Sequence, residues 1–132
     1  MKKTSEQWLN AAEDDLRVVA RISSDEYLTH MVAFHSQQCI EKSLKAIIEE
    51  YELGHIRVHN LGRLFEIVRT KVMLDTDVVL IEKLDKLYID ARYPGELGLL
   101  PNGKPTHEDA QRFYHFAQSL YEQIKRLLEA GR

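Results

Sequence analysis

The sequence predicts an all-α protein, an antiparallel up-and-down bundle of four or five helices. Three observations carry that expectation. Apolar residues recur at three- and four-residue steps through five segments, no segment alternates strictly, and no hairpin turn stands between β-branched runs. Amphipathic helices with no sheet to cover must bury their stripes on one another, and a bundle is the economical solution.

The first helix is expected to begin near Thr4, where Thr4-x-x-Gln7 reads as a capping box. Trp8, Ala11, Ala12, Asp15, Leu16, Val18, Val19 and Ile22 follow it at helical spacing. Ser23-Ser24-Asp25 breaks the pattern and can cap a second helix running from about Glu26 to Leu53, with Gly54 as its stop. His59 or Asn60 caps a short third helix that carries Leu61, Leu64, Phe65, Ile67 and Val68. Asp75-Thr76-Asp77 opens a fourth, with Val78, Val79, Ile81, Leu84, Leu87, Tyr88 and Ala91 in register. It fades near Arg92, because Tyr93 precedes Pro94 and is pushed out of helical geometry. All three prolines and three of the six glycines fall within residues 93–105, which marks an extended loop. Thr106 then caps a last helix, with Asp109 at its third position, through Phe113, Phe116, Ala117, Leu120, Ile124 and Leu127.

A chain of 132 residues has room for one domain with a real core. The lone cysteine, Cys39, cannot form an internal disulfide, so a reducing compartment is its natural home. Polar Thr4-Ser5-Glu6-Gln7 stands where a signal peptide needs an apolar stretch, and no run is long and apolar enough to span a bilayer. The expected address is the cytoplasm, away from membranes. Eighteen basic residues against 21 acidic ones give a net charge of −3. That argues against a protein that coats nucleic acid non-specifically, because such binding runs on phosphate neutralisation and counterion release. A small local basic pocket is still compatible with it.

The second helix is the most informative segment. On a wheel of 3.6 residues per turn, Ala33, Phe34, Ile40, Leu44, Ile47, Ile48 and Tyr51 form one broad stripe, the face that should enter the core. Gln37 sits inside that stripe and Glu41 on its edge. Tyr27, Met31, Gln38, Lys42 and Lys45 line a neighbouring face, with His35 at its margin. The plain expectation for Glu41, Lys42 and Lys45 is a solvated face with weak i,i+4 pairing. Gln37 is different: a buried amide must find hydrogen-bond partners, on another helix or across a subunit interface.

Gln37-Gln38-Cys39-Ile40-Glu41-Lys42-Ser43-Leu44-Lys45-Ala46 strongly resembles the Q-Q-x-x-E-K-x-x-K-A signature in the second helix of HEPN domains, named for "higher eukaryotes and prokaryotes nucleotide-binding". Trp8, Ala11, Asp15 and Leu16 fit the family's first helix. His59-Asn60-Leu61 matches its H-x-L, and Ala91-Arg92-Tyr93-Pro94 its A-R-Y-P. The pieces occur in order from Trp8 to the final helix; each alone is weak, and the ordered set is specific. The resemblance implies a helical bundle that often dimerises and is frequently encoded beside a small nucleotidyltransferase partner. It also implies a nucleotide or RNA ligand. As a nucleotide site it would place Lys42, Lys45 and Arg92 on phosphate and Gln38 and Tyr93 on base or sugar, with Glu41 and His59 in the same set. No cofactor is implied.

Many relatives of this kind are ribonucleases built on R-x4-6-H near the last helix, where Arg stabilises the charged transition state and His moves protons. This sequence departs from that pattern. Arg112-x-x-His115 is too short, and Arg92 to His107 spans the whole loop. The alternative is a metal-independent ribonuclease using Arg92 with His107 or His115. Arg92 and Tyr93 also have plain roles: the arginine tying down helix-end carbonyls or pairing with Asp90 or Glu96, the tyrosine packing under the loop. His59 at a helix start more often caps or packs than binds. Glu52-x-x-His55 superficially resembles half of a di-iron motif, but the second half is missing, so no metal site is expected. Trp8, Phe34, Phe113 and Phe116 are expected in the core. Cys39 lies off the apolar stripe and has no local activator.

Overall fold

The computed structural model describes residues 1–92 and 104–131, with side chains described outside 88–92. Five helices follow in order: α1 (Lys3–Ile22), α2 (Thr29–Glu50), α3 (Leu61–Arg69), α4 (Val78–Arg92) and α5 (His107–Gly131). A single 3-10 turn, Glu26–Leu28, precedes α2. Among the described residues there is no strand. The expected loop at 93–105 and Tyr93 lie largely outside the described residues.

The directions follow from the contacts. Ser5 of α1 meets Glu50 of α2, and Asp15 meets Lys42, so these helices are antiparallel. Lys83 lies beside Asp109, and the segment before α4 reaches Gln123, so α4 opposes α5. The four long helices therefore alternate in direction, and α3 is a short insertion between α2 and α4. Helix α2 packs against every other helix. Ile40, Leu44, Ile47 and Ile48 fill the centre with Leu9 of α1, Leu64 and Val68 of α3, Leu84 of α4, and Phe113, Leu120 and Ile124 of α5.

Two helix starts receive a cap from across the fold. Helix α1 begins at Lys3, not Thr4, and Lys2 at its N-cap makes no side-chain cap. Instead the buried Glu50 carboxylate at the far end of α2 accepts the Lys2 backbone N–H at 2.8 Å and the Ser5 hydroxyl at 2.9 Å. Negative charge there also favours the positive end of the helix dipole. At α3 the Asn60 side chain accepts the Arg63 N–H at 2.9 Å, the local cap the sequence predicts. Asp85 of α4 adds a second cap, accepting the N–H groups of Leu61 at 2.7 Å and Gly62 at 3.1 Å. Thr106 caps α5 through the Asp109 N–H at 3.0 Å, as predicted.

Helix α2 departs from the sequence reading at both ends. Asp25 does cap, but what it caps is the 3-10 turn, through the Tyr27 N–H at 2.9 Å; the α-helix starts at Thr29. At the other end the left-handed residue is Glu52, with φ +53°, two residues before Gly54 at φ +123°. The N–H of Leu53 returns to the Ile48 carbonyl at 2.9 Å and that of Glu52 to Glu49 at 3.3 Å, the paired bonds of a Schellman cap. A side chain in that conformation costs roughly 1 kcal/mol or more. Glu52→Gly is therefore expected to raise stability by up to about 1 kcal/mol, less whatever the exposed Lys2 ion pair contributes. Urea unfolding checks it; a lower midpoint would show that the cap is unstrained.

Three core assignments change. Trp8, Phe34 and Phe116 are only partly buried, whereas Phe113 is fully enclosed. Val78 and Val79, read as stripe residues of α4, are each 62% exposed. Cys39, read as lying off the apolar stripe, is completely buried, its Sγ 3.9 Å from the Ala117 carbonyl of α5. The apolar arc of α2 is wider than the wheel suggested because α5 covers a second side of it.

Candidate functional site

Helical spacing stacks Gln37, Glu41 and Lys45 on successive turns of α2, with Gln38 and Lys42 one position round. The fold closes this ladder on itself around two carboxylates. Glu41, whose side chain is 6% exposed, accepts Lys45 Nζ at 2.8 Å and His59 Nδ1 at 2.9 Å on one oxygen. Its other oxygen accepts the Gln37 amide at 3.3 Å. That amide also donates to the His59 backbone carbonyl at 3.2 Å, and the Gln37 oxygen accepts the Gln38 amide at 2.7 Å. Gln37 thus finds its partners at the approach to α3, inside the chain.

The second carboxylate is Asp15 of α1. One of its oxygens meets His35 Nδ1 at 2.8 Å, the other Lys42 Nζ at 2.7 Å. Since a carboxylate only accepts, Nδ1 carries the proton in both His35 and His59. Lys45 also lies 5.4 Å above the Trp8 ring, a cation–π contact that ties the ladder to α1. The solvated face expected for Glu41, Lys42 and Lys45 is therefore corrected. The Lys45 side chain is 12% exposed, Lys42 26%, and both lysines sit on buried carboxylates. Two lysines against two carboxylates leave the ladder electrically balanced when its imidazoles are neutral.

Chemically, this network fixes the register of α1, α2 and the start of α3. Its outer rim, Lys42, His35, Gln38 and the 46%-exposed His59, is the part within reach of a ligand. Of the remaining candidates, Arg92 ends α4 with its side chain outside the described region, and Tyr93 lies beyond it. His107 opens α5 with a buried Nδ1 that lacks a hydrogen bond among the described residues; His115 is exposed, stacked on Tyr114 at 6.2 Å. Eight residues on one helix separate the two imidazoles by about 12 Å, so one arginine cannot work with both at once. Arg112, the one arginine just upstream of His115, pairs with Glu108 at 2.8 Å. Among the described residues no group of three or more His, Cys, Asp or Glu is arranged to hold a metal.

Asp15 is a site residue that the sequence reading placed on the first helix but gave no role in the site. Its signal was a carboxylate four residues after Ala11 and four before Val19, on the stripe that enters the core. Cys39 is set apart from the site by burial, which pushes its thiol up from 9.0 to about 12. Iodoacetamide should leave native Cys39 untouched at neutral pH and label it only on unfolding; rapid labelling of the folded protein would contradict that burial. Because the fold favours the neutral thiol, its contribution to stability is complete below pH 9 and is lost as pH rises toward 12.

A family model for the HEPN domain matches residues 5–127. The chain belongs to the HEPN family. It is similar to "Putative toxin MJ1304" of Methanocaldococcus jannaschii, 29% identical over 141 residues that take in 96% of this chain and 90% of that one. It is also similar to ST0689, an archaeal HEPN homologue known from a crystal structure. The TM-score is 0.67 at 25% identity, over 94% of this chain and 97% of the other. The HEPN signature of α2 is thus the segment that builds the closed ladder, and His59 of the H-x-L piece completes it. No helix among the described residues is long and apolar enough to cross a membrane.

Proposed function

We propose that this HEPN protein is a homodimeric binding module of a toxin–antitoxin-like pair, working with a small nucleotidyltransferase in the cytoplasm rather than by its own catalysis. The observation that carries this reading is the closed ladder. The family's most distinctive residues match their charges within the chain, so the signature shapes a scaffold and leaves recognition to the surface. The name of the Methanocaldococcus relative supports the toxin–antitoxin setting. The test is light scattering of the protein alone and mixed with a small nucleotidyltransferase from the same genome. A dimer that forms a stoichiometric complex is expected; a monomer that ignores the enzyme would sink the reading.

The exposed rim supports nucleotide binding as part of that role. Lys42 would meet phosphate from the edge of the Asp15 pair, with Gln38, His59, Arg92 and Tyr93 around the base and sugar. Lys45 and Glu41 would hold the rim from below. A thermal-shift titration with ATP, GTP and their monophosphates should show stabilisation that rises with concentration. Lys42→Met should abolish it while the protein stays folded, since that lysine is the less buried of the two. Unchanged affinity would remove Lys42 from the site. The ribonuclease alternative, Arg92 with His107 or His115, draws its support from His107 Nδ1, which makes no hydrogen bond among the described residues. It requires RNA cleavage that His107→Ala or His115→Ala abolishes, and intact RNA after prolonged incubation would end it.

A further inference from the structure

Helices α3 and α4 enclose an open cavity of about 570 Å³ on the side away from α1. Phe65 and Val68 of α3 and Ile81 of α4 form its floor; all three are buried. Its lip is Met73, 84% exposed, and Val78, 62% exposed, with Val79 carrying the apolar surface round the first turn of α4. Exposed apolar groups gathered at the mouth of an apolar cleft mark an interaction site more than an accident of composition.

The charge around this cleft says what fits it. Glu66 and Glu82 line it against one cation, Arg69, while Asp85, which also lines it, is spent on the N–H groups of Leu61 and Gly62. Asp75 and Asp77 flank the lining residue Thr76. Of the nearby lysines, Lys71 lies over Tyr51 at 5.6 Å and Lys83 pairs with Asp109 at 3.8 Å, while Lys86, one turn beyond Glu82, is not among the lining residues. Neither Glu66 nor Glu82 makes an ion pair among the described residues. A second copy seated symmetrically here would set one acidic rim against another, which is unfavourable. An amphipathic helix with apolar residues at three- and four-residue spacing and basic flanks would fill the floor and answer the rim.

We propose that the α3–α4 groove is the docking site for a basic amphipathic helix of a partner protein. The inference deepens the interaction-module reading and rests on it. The groove has its own test. A fluorescent helical peptide of about five turns, with leucines on one face and arginines on the flanks, is titrated onto the full chain and read by anisotropy. Binding that weakens with salt is expected. It should fall at least tenfold in Val78→Asp and in the Glu66→Lys/Glu82→Lys pair, all exposed positions whose change leaves the core intact. A glutamate-flanked version of the peptide should not bind. Equal binding of both peptides, or undiminished binding to Val78→Asp, would overturn the proposal. So would light scattering in which Val78→Asp splits a dimer, since the occupant would then be a second copy. The two readings fail separately. A nucleotidyltransferase complex that forms and survives Val78→Asp removes the groove and keeps the module. Peptide binding without any such complex keeps the groove and removes that partner.

Discussion

Glu41→Ala should destabilise the protein by about 3–5 kcal/mol, because it leaves a largely buried lysine without its carboxylate and the buried Gln37 amide with only its bond to the His59 carbonyl. Lys45 is 12% exposed, and its ammonium rests on Glu41 at 2.8 Å. Gln37 loses the same carboxylate, and His59 loses the acceptor at 2.9 Å that orients its ring. For a chain of this length the loss corresponds to a fall in Tm of roughly 10–20 °C. A folded state worth about 5–15 kcal/mol in all would keep little margin. The informative companion is Glu41→Met combined with Lys45→Met. Burying two ions is itself costly, so exchanging both for apolar groups of similar volume should recover most of the loss. Thermal and urea unfolding of the two singles and the double give the coupling directly. A Glu41→Ala protein within about 1 kcal/mol of the parent would show the ladder to be a surface feature after all.

The second large effect is expected at Glu50. Its carboxylate holds the start of α1 through the Lys2 N–H and the Ser5 hydroxyl, and Ser5 is fully buried. Glu50→Ala strands that hydroxyl and removes the negative charge from the helix start, at a cost of about 2–4 kcal/mol. Glu50→Gln keeps an acceptor of the same reach and should cost distinctly less. Amide exchange separates local from global loss: protection across the first turns of α1 should fall first in Glu50→Ala. Uniform loss of protection across all helices would mean that Glu50 supports the core rather than one helix end.

These expectations bear on how the site was read. A helix wheel assigned Glu41, Lys42 and Lys45 to a face, and a face rich in charge is ordinarily solvated. What overrode that rule is the arrival of α1 and the segment before α3 on the same side of α2. Asp15 comes from 27 residues before Lys42 and His59 from 18 after Glu41, and no local pattern encodes either distance. The same limit applies to the caps. Asn60 and Thr106 were legible because a cap and the N–H it accepts lie three residues apart. Glu50 and Asp85 were not, since each caps a helix start 45 or more residues away or 24 residues away respectively.

The groove shows the converse error. Val78 and Val79 fit the period of α4, and period alone counts them as core. The short α3 leaves the first turn of α4 uncovered, so the pattern is right and the burial is not.

The sequence by itself determined the helical class, the number and approximate limits of the helices, and membership of the HEPN family. Each of these depends on spacing along one helix or on an ordered set of short motifs. Only the tertiary structure decided that the signature residues are neutralised by Asp15, Glu41 and each other, and that an acidic apolar cleft opens between α3 and α4. Those facts depend on which helices meet. That is set by side chains distant in sequence competing to bury apolar surface and satisfy buried charge together.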